Sequence, residues 1–170
     1  MGFSVSAAFA LLLTAALVSA GTLYLAAENA YSQISAASSD HNSALLMART
    51  SLLEAGLYNY STISGISLYN ITFNITNRGS TLSPGRWSFI YDGTLVTTSG
   101  TVSVQNTPYL LPGETTLVTV QNVPKDTVVH SLVISTETGC SLKIKWEWTG
   151  NTTVGSPRLV TTAWYCPVEG

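Results

Sequence analysis

From Gly2 to Ala27 the chain carries no charged side chain; the first is Glu28. Phe3, Val5, Phe9, Leu11 to Leu13, Ala15 to Val18 and Leu23 to Ala27 make the run strongly apolar. About 25 residues at a 1.5 Å rise give roughly 37 Å of helix, enough to cross a ~30 Å hydrocarbon core with some tilt. Ser4, Ser6, Thr14, Ser19 and Thr22 can return their hydroxyls to helix carbonyls, and Tyr24 stands where an interfacial aromatic is expected. The competing reading is a cleaved signal peptide. That needs Lys or Arg ahead of a short apolar core, whereas here only the α-amino group is positive. Residues 1–27 are therefore expected to be a retained transmembrane helix, whose flanking charges do not orient it.

Beyond the membrane run no proline occurs before Pro84. Ala26, Ala27, Ala30, Tyr31, Ile34, Ala37, Leu45, Ala48, Leu52 and Leu53 recur at intervals near three and four. This spacing predicts that the helix continues as an amphipathic stalk over residues 28–57, weakest at Ser35 to Ser43, and ends near Gly56. Tyr58 to Gly65 then reads as a linker opening the last region, residues 58–170.

In that region the period changes from helical to alternating. Tyr69, Ile71, Phe73 and Ile75 alternate with Asn70, Thr72, Asn74 and Thr76, and Trp87, Phe89 and Tyr91 alternate up to the Asp92-Gly93 hairpin signal. Further strands are expected at Leu95 to Thr97, Thr101 to Gln105, Thr115 to Gln121, Val128 to Thr136, Cys140 to Trp148 and Leu159 to Cys166. Short strands, frequent turns and no intervening helix predict an all-β, immunoglobulin-like sandwich of two sheets. Its expected core is Tyr69, Ile71, Phe73, Ile75, Trp87, Phe89, Val118, Val120, Leu132, Ile134, Leu142, Ile144, Trp146 and Trp148.

Charge excludes several function classes. Only 9% of residues are charged and the net charge is −2, with the seven Lys and Arg scattered, so no nucleic-acid patch is expected. No carboxylate, His and nucleophile share a recognisable spacing and no Gly-rich phosphate loop occurs, so neither catalytic nor cofactor-binding residues are expected. Two distant cysteines with His41 and His130 make no zinc ligand set, and His130 has the parity of a packed strand residue. Cys140 and Cys166 share the parity of apolar neighbours and flank a hairpin-like stretch; a disulfide is expected, with two buried thiols as the alternative. Asn-x-Ser/Thr sequons occur at Asn59, Asn70, Asn74 and Asn151. A disulfide and N-glycans together would place the region after the helix outside the cell. A tethered sugar-binding module would need exposed aromatics, and Trp146, Trp148 and Trp164 have core parity instead.

Several short stretches, in order, resemble the archaeal flagellum (archaellum) accessory family FlaF. They are Met-Gly-Phe-Ser-Val-Ser at residues 1–6, Gly21 to Tyr24, Glu28 to Tyr31, Ile71 to Ser80, Tyr91 to Gly93, Leu111 to Glu114 and Val133 to Gly139. The resemblance implies a membrane-anchored protein whose extracellular immunoglobulin-like domain binds S-layer protein and, with a FlaG-like partner, acts as a stator for a rotating filament. Cys140 to Gly170 departs from the family pattern, and no S-layer contact residue is carried over. An archaeal type IV pilin-like filament subunit is the second reading, because Gly2-Phe3 ahead of an apolar helix is similar to a prepilin peptidase site. The Lys or Arg expected before that glycine is missing. An exposed sandwich edge offers a route to a homo-oligomer.

Overall fold

The computed structural model describes residues 3–62, 67–97, 100–151 and 154–166, with side chains from Ser6 onward. Gly2, half of the prepilin-like pair, lies outside the described residues. The chain divides into two compact units, Met1–Ala44 and Leu45–Gly170.

The first unit is helical throughout its described part and belongs to α1 (Phe3–Thr50). Ala and Leu dominate, no proline interrupts, and hydroxyls fold back as expected: Thr14 Oγ1 donates to the Ala10 carbonyl at 3.1 Å and Thr22 Oγ1 to that of Ser19 at 2.9 Å. Residues 6–44 are exposed. α1 is long and apolar enough to cross a membrane. The expected weak point at Ser35 to Ser43 is not a break: the helix runs through it, and Ser43 Oγ donates to the Asp40 carbonyl at 2.8 Å.

The second unit holds the end of α1 and, among the described residues, nine strands. These are β1 (Leu53–Thr62), β2 (Leu68–Asn77), β3 (Ser88–Tyr91), β4 (Thr94–Val96), β5 (Val102–Val104), β6 (Thr115–Pro124), β7 (His130–Ser135), β8 (Ser141–Gly150) and β9 (Gly155–Tyr165). They form a four-stranded sheet, β1-β2-β6-β5, and a five-stranded sheet, β4-β3-β7-β8-β9, with every pair antiparallel. The architecture is an apolar N-terminal helix followed in the chain by a β-sandwich. All fourteen residues expected in the core are buried in one cluster, joined by Leu53, Leu82, Val102, Leu110 and Val123. At the centre, Trp146 packs edge-on to Phe73 at 5.0 Å and donates its indole N–H to Tyr69 Oη at 3.0 Å.

The end of the helix differs from the sequence expectation. α1 stops at Thr50, not near Gly56; residues 53–62, read as the stalk end and the start of the linker, are the edge strand β1, and Ile63 to Gly65 of that linker lie outside the described residues. Helical spacing is met equally well by Leu52 and Leu53, but tertiary contacts select the strand. Leu53 enters the sandwich core, Ala55 and Leu57 lie opposite Ile75 and Phe73, and β2 takes the hydrogen-bonding edge.

Candidate functional site: a collar around the helix end

An α-helix leaves its last carbonyls without intrahelical donors. Here residues distant in sequence supply them, at the helix end and just beyond it. Thr50 O accepts from Ser80 N–H at 3.0 Å, Leu52 O from Arg78 N–H at 2.8 Å, and Ser51 O from the Trp164 indole at 3.1 Å. Thr50 Oγ1 donates back to Leu46 O at 2.9 Å and Ser51 Oγ to Met47 O at 2.6 Å. Ala48 and Ser51 are buried as a result.

Gly79 makes this approach feasible. A Cβ there would overlap Thr50 O and the Leu52 nitrogen, both backbone atoms that cannot step aside. Arg78, next to it, pairs with Glu54 at 3.0 Å in an exposed contact worth little by itself.

The turn containing Gly79 is held by Asn77, which is fully buried. Its Nδ2 donates to Ser80 O at 2.7 Å and Leu110 O at 2.8 Å, and its Oδ1 accepts from Gly79 N–H at 2.9 Å. Its carbonyl accepts from Gly113 N–H at 2.6 Å, and its N–H donates to Glu114 O at 2.9 Å. Glu114 closes its own turn by accepting from Leu111 N–H at 2.8 Å. Three stretches that are far apart in sequence are thereby tied into the collar: Asn77 to Ser80, Leu110 to Glu114, and Thr136 to Cys140. The last joins through Glu137, which accepts from Ser83 N–H at 2.5 Å, and through Cys140.

Cys140 and Cys166 form the expected disulfide, 26 residues apart, linking the start of β8 to the end of β9. Its sulfurs lie 3.6 and 3.3 Å from Ala48 O. Disulfide sulfur carries no hydrogen, so these are packing contacts and not hydrogen bonds. The crosslink contributes about 3 kcal/mol through the unfolded chain.

A second polar cluster lies at the other end of β7. His130 is buried, with Nδ1 2.7 Å from Asp92 Oδ2 and Nε2 3.2 Å from Asp126 Oδ1. Asp92 also accepts from Ser131 N–H at 2.7 Å. The two carboxylates approach opposite ring nitrogens, and the group ties the β3–β4 turn to the β6–β7 loop. Burial, then the charge of Asp92, pushes the Tyr91 phenol well above its ordinary value. Burial likewise pushes Tyr69 up to about 12, against a smaller lowering by the Trp146 hydrogen bond.

The sequons occupy different surroundings. Asn59 is exposed on β1, with Oδ1 accepting from Tyr60 N–H at 2.8 Å. Asn70 Oδ1 accepts from Asn122 N–H at 3.0 Å. Asn74 Oδ1 is buried with no hydrogen-bond partner among the described residues, and a Cβ on Gly56 would stand 2.6 Å from it. The Asn151 carbonyl accepts from the Trp148 indole at 2.9 Å, while Thr152 and Thr153 of its sequon lie outside the described residues. Trp146 and Trp148 are core residues and Trp164 serves the collar. The collar is not legible in the sequence as a site, although its pieces coincide with the Asn-Arg-Gly-Ser, Leu-Pro-Gly-Glu and Thr-Glu-Thr-Gly stretches that carry the family resemblance.

No curated protein matches the chain. The family model of archaeal-type flagellin matches residues 2–146, nearly the whole chain. That family is one of structural proteins, and together with the exposed apolar helix it points to a membrane-anchored, surface-exposed component of the archaellum. From its sequence match and its helix-plus-sandwich architecture, the chain belongs to the archaeal-type flagellin family.

Proposed function

We propose that this protein is a stationary, membrane-anchored component of the archaellum motor, whose sandwich lies outside the cell, binds the S-layer and acts as a stator with a FlaG-like partner. The observation that carries this reading is the collar. A stator must pass force between its anchor and its outer domain, and a flexible linker would dissipate it. Here the end of the helix and the two residues after it are held by backbone hydrogen bonds, a partly buried indole and the packing of a disulfide. The test is binding of the full chain, in lipid nanodiscs, to isolated S-layer. Saturable binding is expected; absence of binding at any reachable concentration would remove the reading. A fragment starting at residue 58 is unsuitable, since it cuts β1 and discards Leu53.

The family match itself favours a second reading, a filament subunit. Terminal peptide mass spectrometry of the native protein separates the two. A chain beginning at Phe3 and recovered from purified filaments would replace the stator with the subunit.

A further inference from the structure

The two outward faces of the sandwich differ in kind. On the four-stranded sheet, Thr72 pairs with Thr119 at 3.0 Å and Thr76 with Thr115 at 3.1 Å, hydroxyl to hydroxyl. Those four hydroxyls satisfy one another. On the five-stranded sheet the register aligns Leu95 with Ile90, Ile90 with Val133, Val133 with Lys143, and Lys143 with Ala163. Their strand neighbours Phe89, Leu132, Ile134, Leu142 and Ile144 fill the core, so the aligned row points outward. Leu95 is 72% exposed. One transverse row of aliphatic side chains, extended by the stem of Lys143, thus crosses all five strands.

The adjacent row places Lys145 between Ser131 and Thr161. Neither Lys143 nor Lys145 has an ion-pair partner among the described residues, whereas Arg158 on the same face is paired with Glu147 at 2.6 Å. Two unmatched cations beside an apolar row stand out on a chain of net charge −2.

We propose that this outer face, centred on Ile90, Val133, Lys143 and Lys145, docks the acidic surface of a partner protein, with carboxylates meeting the two lysines around an apolar contact. An apolar centre beside complementary charge is the usual anatomy of a protein interface. Two lysines are too few to hold a nucleic acid. The row lies on the body of a sheet and not on protruding loops, which suits a flat protein surface better than insertion into lipid. The inference rests on the proposed function to the extent that the S-layer is the partner it predicts.

The test is zero-length carbodiimide coupling on intact cells, which joins a lysine amine only to a carboxylate in contact with it, followed by peptide mapping. Lys143 and Lys145 are expected to couple to Asp or Glu of another protein. K143E/K145E is expected to weaken binding of the nanodisc-held full chain to isolated S-layer about tenfold or more, with K143R/K145R binding normally and T119E on the opposite face unaffected. Thermal melts check that each variant is folded. Coupling to a different acidic protein, without S-layer binding, would uphold this face and remove the stator reading. No coupling at either lysine, or unchanged S-layer binding by K143E/K145E, would overturn the docking face. So would a loss by that variant of binding to anionic phospholipid vesicles alone.

Discussion

Trp164 donates its indole N–H to the carbonyl of Ser51 at 3.1 Å, across 113 residues of sequence. This bond joins the last strand to the first residue after the helix. Trp164→Phe keeps most of the packing and leaves a partly buried carbonyl unpaired. A loss of about 1–2 kcal/mol is expected in denaturant unfolding of the full chain, and an unchanged midpoint would show that the bond is not stabilising.

Gly79 sits where a methyl group would overlap backbone of residues 50 and 52. Gly79→Ala is expected to destabilise by about 1–3 kcal/mol through overpacking, while Gly85→Ala, which meets nothing within 4 Å, should cost far less. Thermal melts of the two variants compare them directly.

Removing the crosslink in Cys140→Ala/Cys166→Ala is expected to cost about 3 kcal/mol. Reductant should lower the stability of the parent and leave the double variant unchanged.

Tyr69 and Tyr91 both have raised phenol pKa values in the fold. Above the ordinary value of 10.0 the unfolded chain releases these protons more readily than the folded one. Their contribution is therefore complete below pH 10.0 and is lost as pH rises toward the folded value of about 12 for Tyr69. Stability measured across that window should fall, and phenolate absorbance should appear together with unfolding.

Asn59 is exposed on an edge strand, while the Asn74 carboxamide oxygen is enclosed beside Gly56. Glycopeptide mass spectrometry of the native protein should find Asn59 modified and Asn74 bare. Occupancy at Asn74 would show that modification precedes closure of β1 over β2.

The apolar helix, the alternating strands and the core are legible from residues alone, because a charge-free run of membrane length and a period of two are local properties. The parity of Tyr69 to Ile75 and of Leu142 to Trp148 places each side chain on one face whatever its partner strand. Cys140 and Cys166 are legible for the same reason. Where the helix ends is a different matter, settled by long-range packing. Residues 51–57 satisfy a helical spacing and an extended one alike, and the choice falls to distant groups: Arg78, Ser80 and Trp164 capture the carbonyls, and Leu53 gains a core site. The outward alignment of Leu95, Ile90, Val133 and Lys143 is hidden in the sequence for a related reason, since register across strands depends on pairing and not on any one segment.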